Sequence, residues 1–362
     1  MSYEIPYTGN LKWLKERTIL WVVHGSRCYG TNRPDSDYDF KGVCVPPRAY
    51  RDGFVNHFEQ AIWSEPEDAC VFEIRKFFAL AADCNPNIVE LLYVDPSDVL
   101  FASDAGKLLL EHRGEFLSQK ALHTFRGYAM SQLKRIKTHK RWLLSPPDHH
   151  PTRAEYGLPE RTVIPADQLA AAMAAIQKRL DSWEVDFGDL NEGSKIHIQE
   201  QVGQYLAELQ IANDAEFRAA GRLLGYTENF LLLLDGEKRY KAALTEWQQY
   251  EDWKTNRNEK RAALEAAHGY DTKHGMHLVR LLRMCREILT EGAVHTRRPD
   301  AKELLSIRDG AWSYDKLIEW AEAQDIELMS LAKASPLPKG PNRVKLDALC
   351  MEIVQSFDKV AG

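Results

Sequence analysis

The run Ile19-Leu-Trp-Val-Val23 and the segment behind it, His24-Gly-Ser-Arg-Cys-Tyr-Gly-Thr-Asn-Arg-Pro-Asp-Ser-Asp-Tyr-Asp-Phe-Lys-Gly-Val43, decide how this chain is read. An apolar run stopped by Gly25-Ser26 predicts a buried strand and a tight turn. After the linker Asn32 to Ser36, a second strand is expected over Asp37 to Val45, closed by Pro46-Pro47. Asp37 and Asp39 are two apart on that strand, so both carboxylates project from one face. Like charges held so close repel unless a cation sits beside them. Magnesium (or manganese) suits such a place, because a hard cation takes carboxylate and phosphate oxygens and keeps several waters. Gly25 lets backbone approach a ligand closely, and Ser26 offers a hydroxyl beside helix N-terminal amides, which favour phosphate. A bend of the Asx type serves an Asp-Ser-Asp surface turn with no metal at all. It does not account for a buried strand, a Gly-Ser turn and paired aspartates in succession.

Outward from this segment, Ala69 to Ile74 reads as a third strand running into a helix through Phe77, Phe78 and Leu80. Asn85-Pro86 has the form of an N-cap with proline in the first helical turn. From about Ser118 the periodicity is helical. Ala121 to Leu144 predicts one long helix, stopped by Ser145-Pro146-Pro147. Further helices are expected over Ala166 to Trp183, Lys195 to Ala212, Ala215 to Leu234, Lys238 to Glu265, Thr272 to Thr290 and Tyr314 to Ala334. The expected class is α+β: a small mixed β-sheet core over residues 1–117, then a larger α-helical domain over 118–362, with about 148–236 as a candidate insertion.

Bulk properties bound the function. With 362 residues, 44% of them hydrophobic, the chain can bury a full core. A formal charge of -6 argues against a protein that coats nucleic acid non-specifically, though not against a local basic groove. The six cysteines are scattered with no CxxC pair, which points to reduced thiols rather than a zinc site or disulfide framework. The N-terminus lacks a basic-then-apolar leader, and the longest apolar runs, such as Phe230 to Leu234, are too short to span a bilayer. A soluble cytoplasmic protein without a membrane partner is expected.

The Gly-Ser and Asp-x-Asp segment resembles the signature of DNA polymerase beta-like nucleotidyltransferases. More narrowly, the chain is similar to the predicted nucleotidyltransferases associated with RNA ligases. The likeness continues through Glu73-Ile-Arg-Lys-Phe77, Asn85-Pro86 with Glu90-Leu91-Leu92, Phe125-Arg-Gly-Tyr-Ala129, and Gly269-Tyr-Asp-Thr-Lys-His-Gly-Met-His-Leu-Val-Arg280. The resemblance implies metal-dependent transfer of a nucleoside monophosphate from a triphosphate such as ATP to a hydroxyl, releasing pyrophosphate. An RNA end is the implied acceptor, as in RNA repair. It also implies a third carboxylate on a neighbouring strand. Glu73 is the first candidate for that catalytic and metal-binding role, and Asp68 the second; a solvated Glu73 paired with Arg75 or Lys76 is the bland alternative.

Lys273, His277 and Arg280, spaced by four and three, stack at the edge of the apolar stripe of their helix. They are candidate nucleotide ligands or plain helix-surface charges. Lys134, Lys137 and Arg141 share a helix face that can follow a nucleic-acid backbone, although such faces more often are simply solvated. Two other functions compete: the same transfer to a protein or small molecule, and a silent nucleotide- or RNA-binding module. The silent module has no use for paired aspartates.

Overall fold

In the computed structural model, residue 5 and residues 10–65, 67–181 and 210–361 are described. Five strands form one sheet in the order β3-β4-β2-β1-β5. They are β1 Thr18–His24, β2 Asp39–Cys44, β3 Gln60–Trp63, β4 Asp68–Glu73 and β5 Val99–Ala102. The pair β2 and β4 is parallel and the other pairs are antiparallel, so the sheet is mixed. With its many helices the chain is α+β.

The continuous apolar run of β1 has a direct cause: both faces of the sheet are covered. On one face Leu20, Val22, Val43 and Phe72 pack with Phe77 and Phe78 of helix Ile74–Ala82, with Leu91, and with Leu346 and Ile353 of helix Arg343–Ala361. On the other face Trp21, Val23 and Phe40 pack with Leu14 and Phe58. β3 and β5 went unread in the sequence because each spans only four residues at a sheet edge. Asn85 does cap helix Pro86–Leu92, accepting from the amide of Asn87 at 3.1 Å.

Helix Lys120–Leu144 matches the expected long helix to within a residue. Its Phe125, Leu133 and Ile136 share a second core with Leu278, Leu282 and Cys285 of helix Thr272–Glu291 and with Leu317 of helix Tyr314–Ala334. Cys84 and Val89 of the sheet region belong to that same core. The compact units therefore divide elsewhere than the expected cut at 117/118. One comprises residues 1–141 and 258–362; the other is Trp142–Arg257.

The Trp142–Arg257 unit encloses the 148–236 stretch. Its own core joins Ile164, Ile176, Phe217, Leu231 and Leu234. Helix boundaries there differ from the sequence reading. The expected helix Ala215 to Leu234 is instead Gln210–Leu223 and the start of Glu228–Thr255. It breaks at Gly225, whose φ is +81, and restarts where Thr227 caps Phe230. Likewise, the expected helix Lys238 to Glu265 ends at Thr255, and Asn258 caps a new helix, Glu259–His268. The expected helix Lys195 to Ala212 falls largely outside the described residues. No described helix is long and apolar enough to cross a membrane.

Candidate active site

Strand pairing brings the key positions level. Across the antiparallel pair His24 lies opposite Asp39, and across the parallel pair Asp39 lies opposite Asp68. The end of β1, the start of β2 and the start of β4 thus meet at one end of the three central strands. Beyond His24 the chain turns sharply at Gly25, whose φ is +67, into a single-turn helix, Gly25–Tyr29, closed by Gly30 at φ +72. A Cβ on Gly25 would lie 1.8 Å from Oδ2 of Asp39. Only glycine permits both this backbone conformation and this approach of the carboxylate. No side chain caps the start of the Gly25–Tyr29 helix, which leaves its first amides beside Ser26 free of a side-chain acceptor.

The linker is held by a residue that sequence reasoning passed over. Arg27 donates from Nη2 to the carbonyl of Ser36 at 2.6 Å and from Nε to that of Asp37 at 3.3 Å. Its guanidinium stacks over the Tyr38 ring at 3.6 Å. Tyr38 stacks on Phe40, and Phe40 on Trp21. Asp37 itself precedes β2 in an exposed loop, whereas Asp39 is half-buried at the first position of that strand. The expected common strand face of the two carboxylates is therefore replaced by a loop that Arg27 fixes.

Burial raises the pKa of Asp39 above the usual carboxylate range, and the negative charges of Asp68 and Asp37 add to the rise. Lys41 and Lys273 act in the opposite direction. Lys273 is half-buried in the first turn of helix Thr272–Glu291. Burial lowers its pKa, assisted by Arg261 and Arg308, while Asp271 and Asp39 oppose that fall. Lys273 of helix Thr272–Glu291 thus lies close enough to Asp39 for each charge to act on the other.

Two expected residues have other duties. Glu73 pairs with Cys44 at the opposite end of β4 from Asp68. Five residues of strand cover about 16 Å, so its carboxylate is not level with Asp39. Instead it is buried, accepts from the amide of Lys76 at 2.8 Å as the cap of helix Ile74–Ala82, and takes Nε of Arg75 at 2.8 Å. Among the described residues the carboxylate level with Asp39 is Asp68, which is exposed. Arg280 is likewise corrected. It is buried, pairs with Glu90 at 2.5 Å and lies 4.0 Å over the Tyr29 ring. Tyr29 in turn hydrogen-bonds Glu90. Arg280 thereby ties the Thr272 helix to the helix after Gly25 through its Nη1, while its Nε is buried without a partner.

His277 is half-buried, and its pKa is pushed well below the usual imidazole range by burial first, then by Arg280 and Lys273. Lys134, Lys137 and Arg141 are exposed on helix Lys120–Leu144, where Lys137 pairs with Glu322 at 3.0 Å. The side of that helix nearest the Thr272 helix carries His139, whose ring lies 6.2 Å from that of His274.

No group of three or more His, Cys, Asp or Glu side chains among the described residues converges into a metal cage by itself. A magnesium site that borrows phosphate oxygens and water needs fewer protein ligands. The crowding that raises the pKa of Asp39 is of the kind a bound cation relieves.

Residues 10–145 match the RNA repair pathway DNA polymerase beta family. This segment contains the whole sheet and the Gly25, Asp37, Asp39 and Asp68 positions. One similar protein is an uncharacterized 38.9 kDa protein from the nrdC-mobD intergenic region of Enterobacteria phage T4. It is 27% identical over 127 residues, covering 32% of this chain and 38% of that protein. The chain thus spans well under half the length of that relative. No solved structure matches.

Proposed function

We propose that the protein moves a nucleoside monophosphate from a nucleoside triphosphate to a hydroxyl on an RNA end, a reading supported by the match of residues 10–145 to the RNA repair pathway DNA polymerase beta family. The observation that carries the reading is the close approach of Asp39 to the backbone of Gly25, with Asp68 level beside it. One end of the central strands then offers carboxylates for a divalent cation and, at Ser26, amides and a hydroxyl for phosphate. Asp39, with Asp37 and Asp68, would hold magnesium, which when bound neutralises charge on the reacting phosphate. In the reaction the acceptor oxygen bonds to the α-phosphorus. The bond from that phosphorus to the bridging oxygen breaks, and pyrophosphate leaves with the electron pair. A carboxylate at Asp68 is suited to orient the attacking hydroxyl and receive its proton. Arg27 keeps the loop carrying Asp37 in place throughout.

A direct assay tests the reading. The purified chain is incubated with magnesium, each α-labelled triphosphate in turn, and RNA or cell extract. Label in RNA, lost in Asp39→Asn and on chelation, is the expected result. Label in protein or in a small molecule would move the acceptor to another class. No magnesium-dependent labelling of any material would overturn the proposal.

A further inference from the structure

Two cations beside the candidate site lack a counter-ion. Lys273 and Arg308 are both half-buried, and neither side chain makes an ion pair or hydrogen bond with any described residue. The Nε of Arg308 is buried without a partner. Other cations nearby are satisfied: Arg33 pairs with Asp309, and Lys260 with Asp35 at 3.4 Å. Unpaired charge held away from water destabilises a fold unless something else compensates it.

The fold brings these cations together deliberately close. Arg308 ends helix Ala301–Arg308, and its carbonyl accepts from Oγ1 of Thr272 at 2.7 Å, one residue before Lys273. Arg261, on helix Glu259–His268, reaches the same corner. Its Nη1 lies 3.1 Å from Nε2 of His274 and 3.9 Å from Oδ2 of Asp271. Arg261 and Arg308 are the charges that most depress the pKa of Lys273, so each lies near it. Three helices thus contribute one cation each.

The order of charges matters. Asp39 acts on Lys273, whereas the groups acting most on Arg308 are Arg33, Asp309, Asp35 and Asp271. Lys273 thus lies within reach of the Asp39 charge, with Arg308 and Arg261 beside it and the carboxylates Asp271, Asp35 and Asp309 at the same corner. A polyphosphate whose reacting end sits at Asp39 would bring its remaining phosphates to these three cations. We propose that Lys273, Arg308 and Arg261 bind the terminal phosphates of the triphosphate and stabilise pyrophosphate as it departs; this rests on the nucleotidyl-transfer reading. As the bond from the α-phosphorus to the bridging oxygen breaks, negative charge grows on the oxygens facing these cations, and arginine forks suit that anion.

The test measures tripolyphosphate binding to the full chain by calorimetry, alongside magnesium-dependent nucleotidyl transfer. Wild type and Asp39→Asn are expected to bind the anion alike, although only wild type transfers. Arg308→Ala should bind it roughly 10- to 100-fold more weakly. Its melting temperature should be unchanged or higher, because no ion pair or hydrogen bond of that side chain with a described residue is lost. A cation with a structural role would instead lower the melting temperature when removed. Equal tripolyphosphate binding in wild type and Arg308→Ala, or none in wild type, overturns the inference even if transfer persists. A 5′-phosphorylated RNA oligonucleotide serves as the third arm. If only its binding depends on Arg308, the cations belong to the acceptor and the inference is equally overturned. Loss of transfer in wild type with tripolyphosphate binding intact would count against the catalytic reading alone.

Discussion

At the scale of single residues, Gly25 is the position where backbone and chemistry are least separable. Its φ of +67 is one that side-chain-bearing residues seldom adopt, and its missing Cβ leaves the space that Asp39 Oδ2 fills. Gly25→Ala adds about 1–2 kcal/mol of backbone strain. It also pushes the Asp39 carboxylate aside. A displacement near 1 Å at a reacting centre costs about 100-fold in rate. The expected outcome is a protein that still melts cooperatively but transfers at least about 100-fold more slowly than wild type. A variant with wild-type turnover would show that Asp39 need not rest against that backbone.

At the scale of elements, β4 carries two acidic residues at opposite ends, in different surroundings. Its parallel register sets Asp68 beside Asp39 and Glu73 beside Cys44. Asp68→Asn should cut turnover by about 100-fold or more while leaving thermal stability nearly unchanged, since the side chain is exposed. Glu73→Ala should do the reverse. It strips the cap from helix Ile74–Ala82 and leaves the Lys76 amide without its acceptor. A loss of about 1 kcal/mol is expected from denaturant titration, with transfer per folded molecule retained. Turnover lost in Glu73→Ala and kept in Asp68→Asn would return the role to Glu73. The Asp-x-Asp motif, the turn glycine and the capping Asn85 were legible in the sequence because each acts through its nearest neighbours. The choice between Asp68 and Glu73 was not, because it depends on how a distant strand is slid against β2.

At the scale of the molecule, the chain returns on itself. Residues 258–362 complete the core that residues 84–136 begin, and helix Arg343–Ala361 covers one sheet face. Its Asp358 binds Arg17 and Arg51 near the strand ends. A fragment of residues 1–141 would expose Phe125, Leu133, Ile136 and the face beneath Leu346 and Ile353. It is expected to lack a cooperative thermal transition and sharp near-ultraviolet dichroism, although residues 10–145 are the part matched by the family. A cooperatively melting fragment would mean that the shared cores add stability without being required for folding.

By itself the sequence determined the longer elements and marked the residues of the candidate site. Periodicity marks β1 and helix Lys120–Leu144, and the spacing of glycine, serine and aspartates marks the carboxylate end of the central strands, since local sterics and alternation act over a few residues. Tertiary structure alone decided which distant groups share that end. Arg280 shows the limit: its helical spacing matches that of Lys273, yet one is buried against Glu90 and Tyr29 while the other stays unpaired. Likewise, Arg261 and Arg308 carry no local signal, because convergence on Lys273 arises only when three helices pack. Whether a cation is a structural counter-ion or a ligand-seeking charge depends on its neighbours in space, and chain order does not encode those directly.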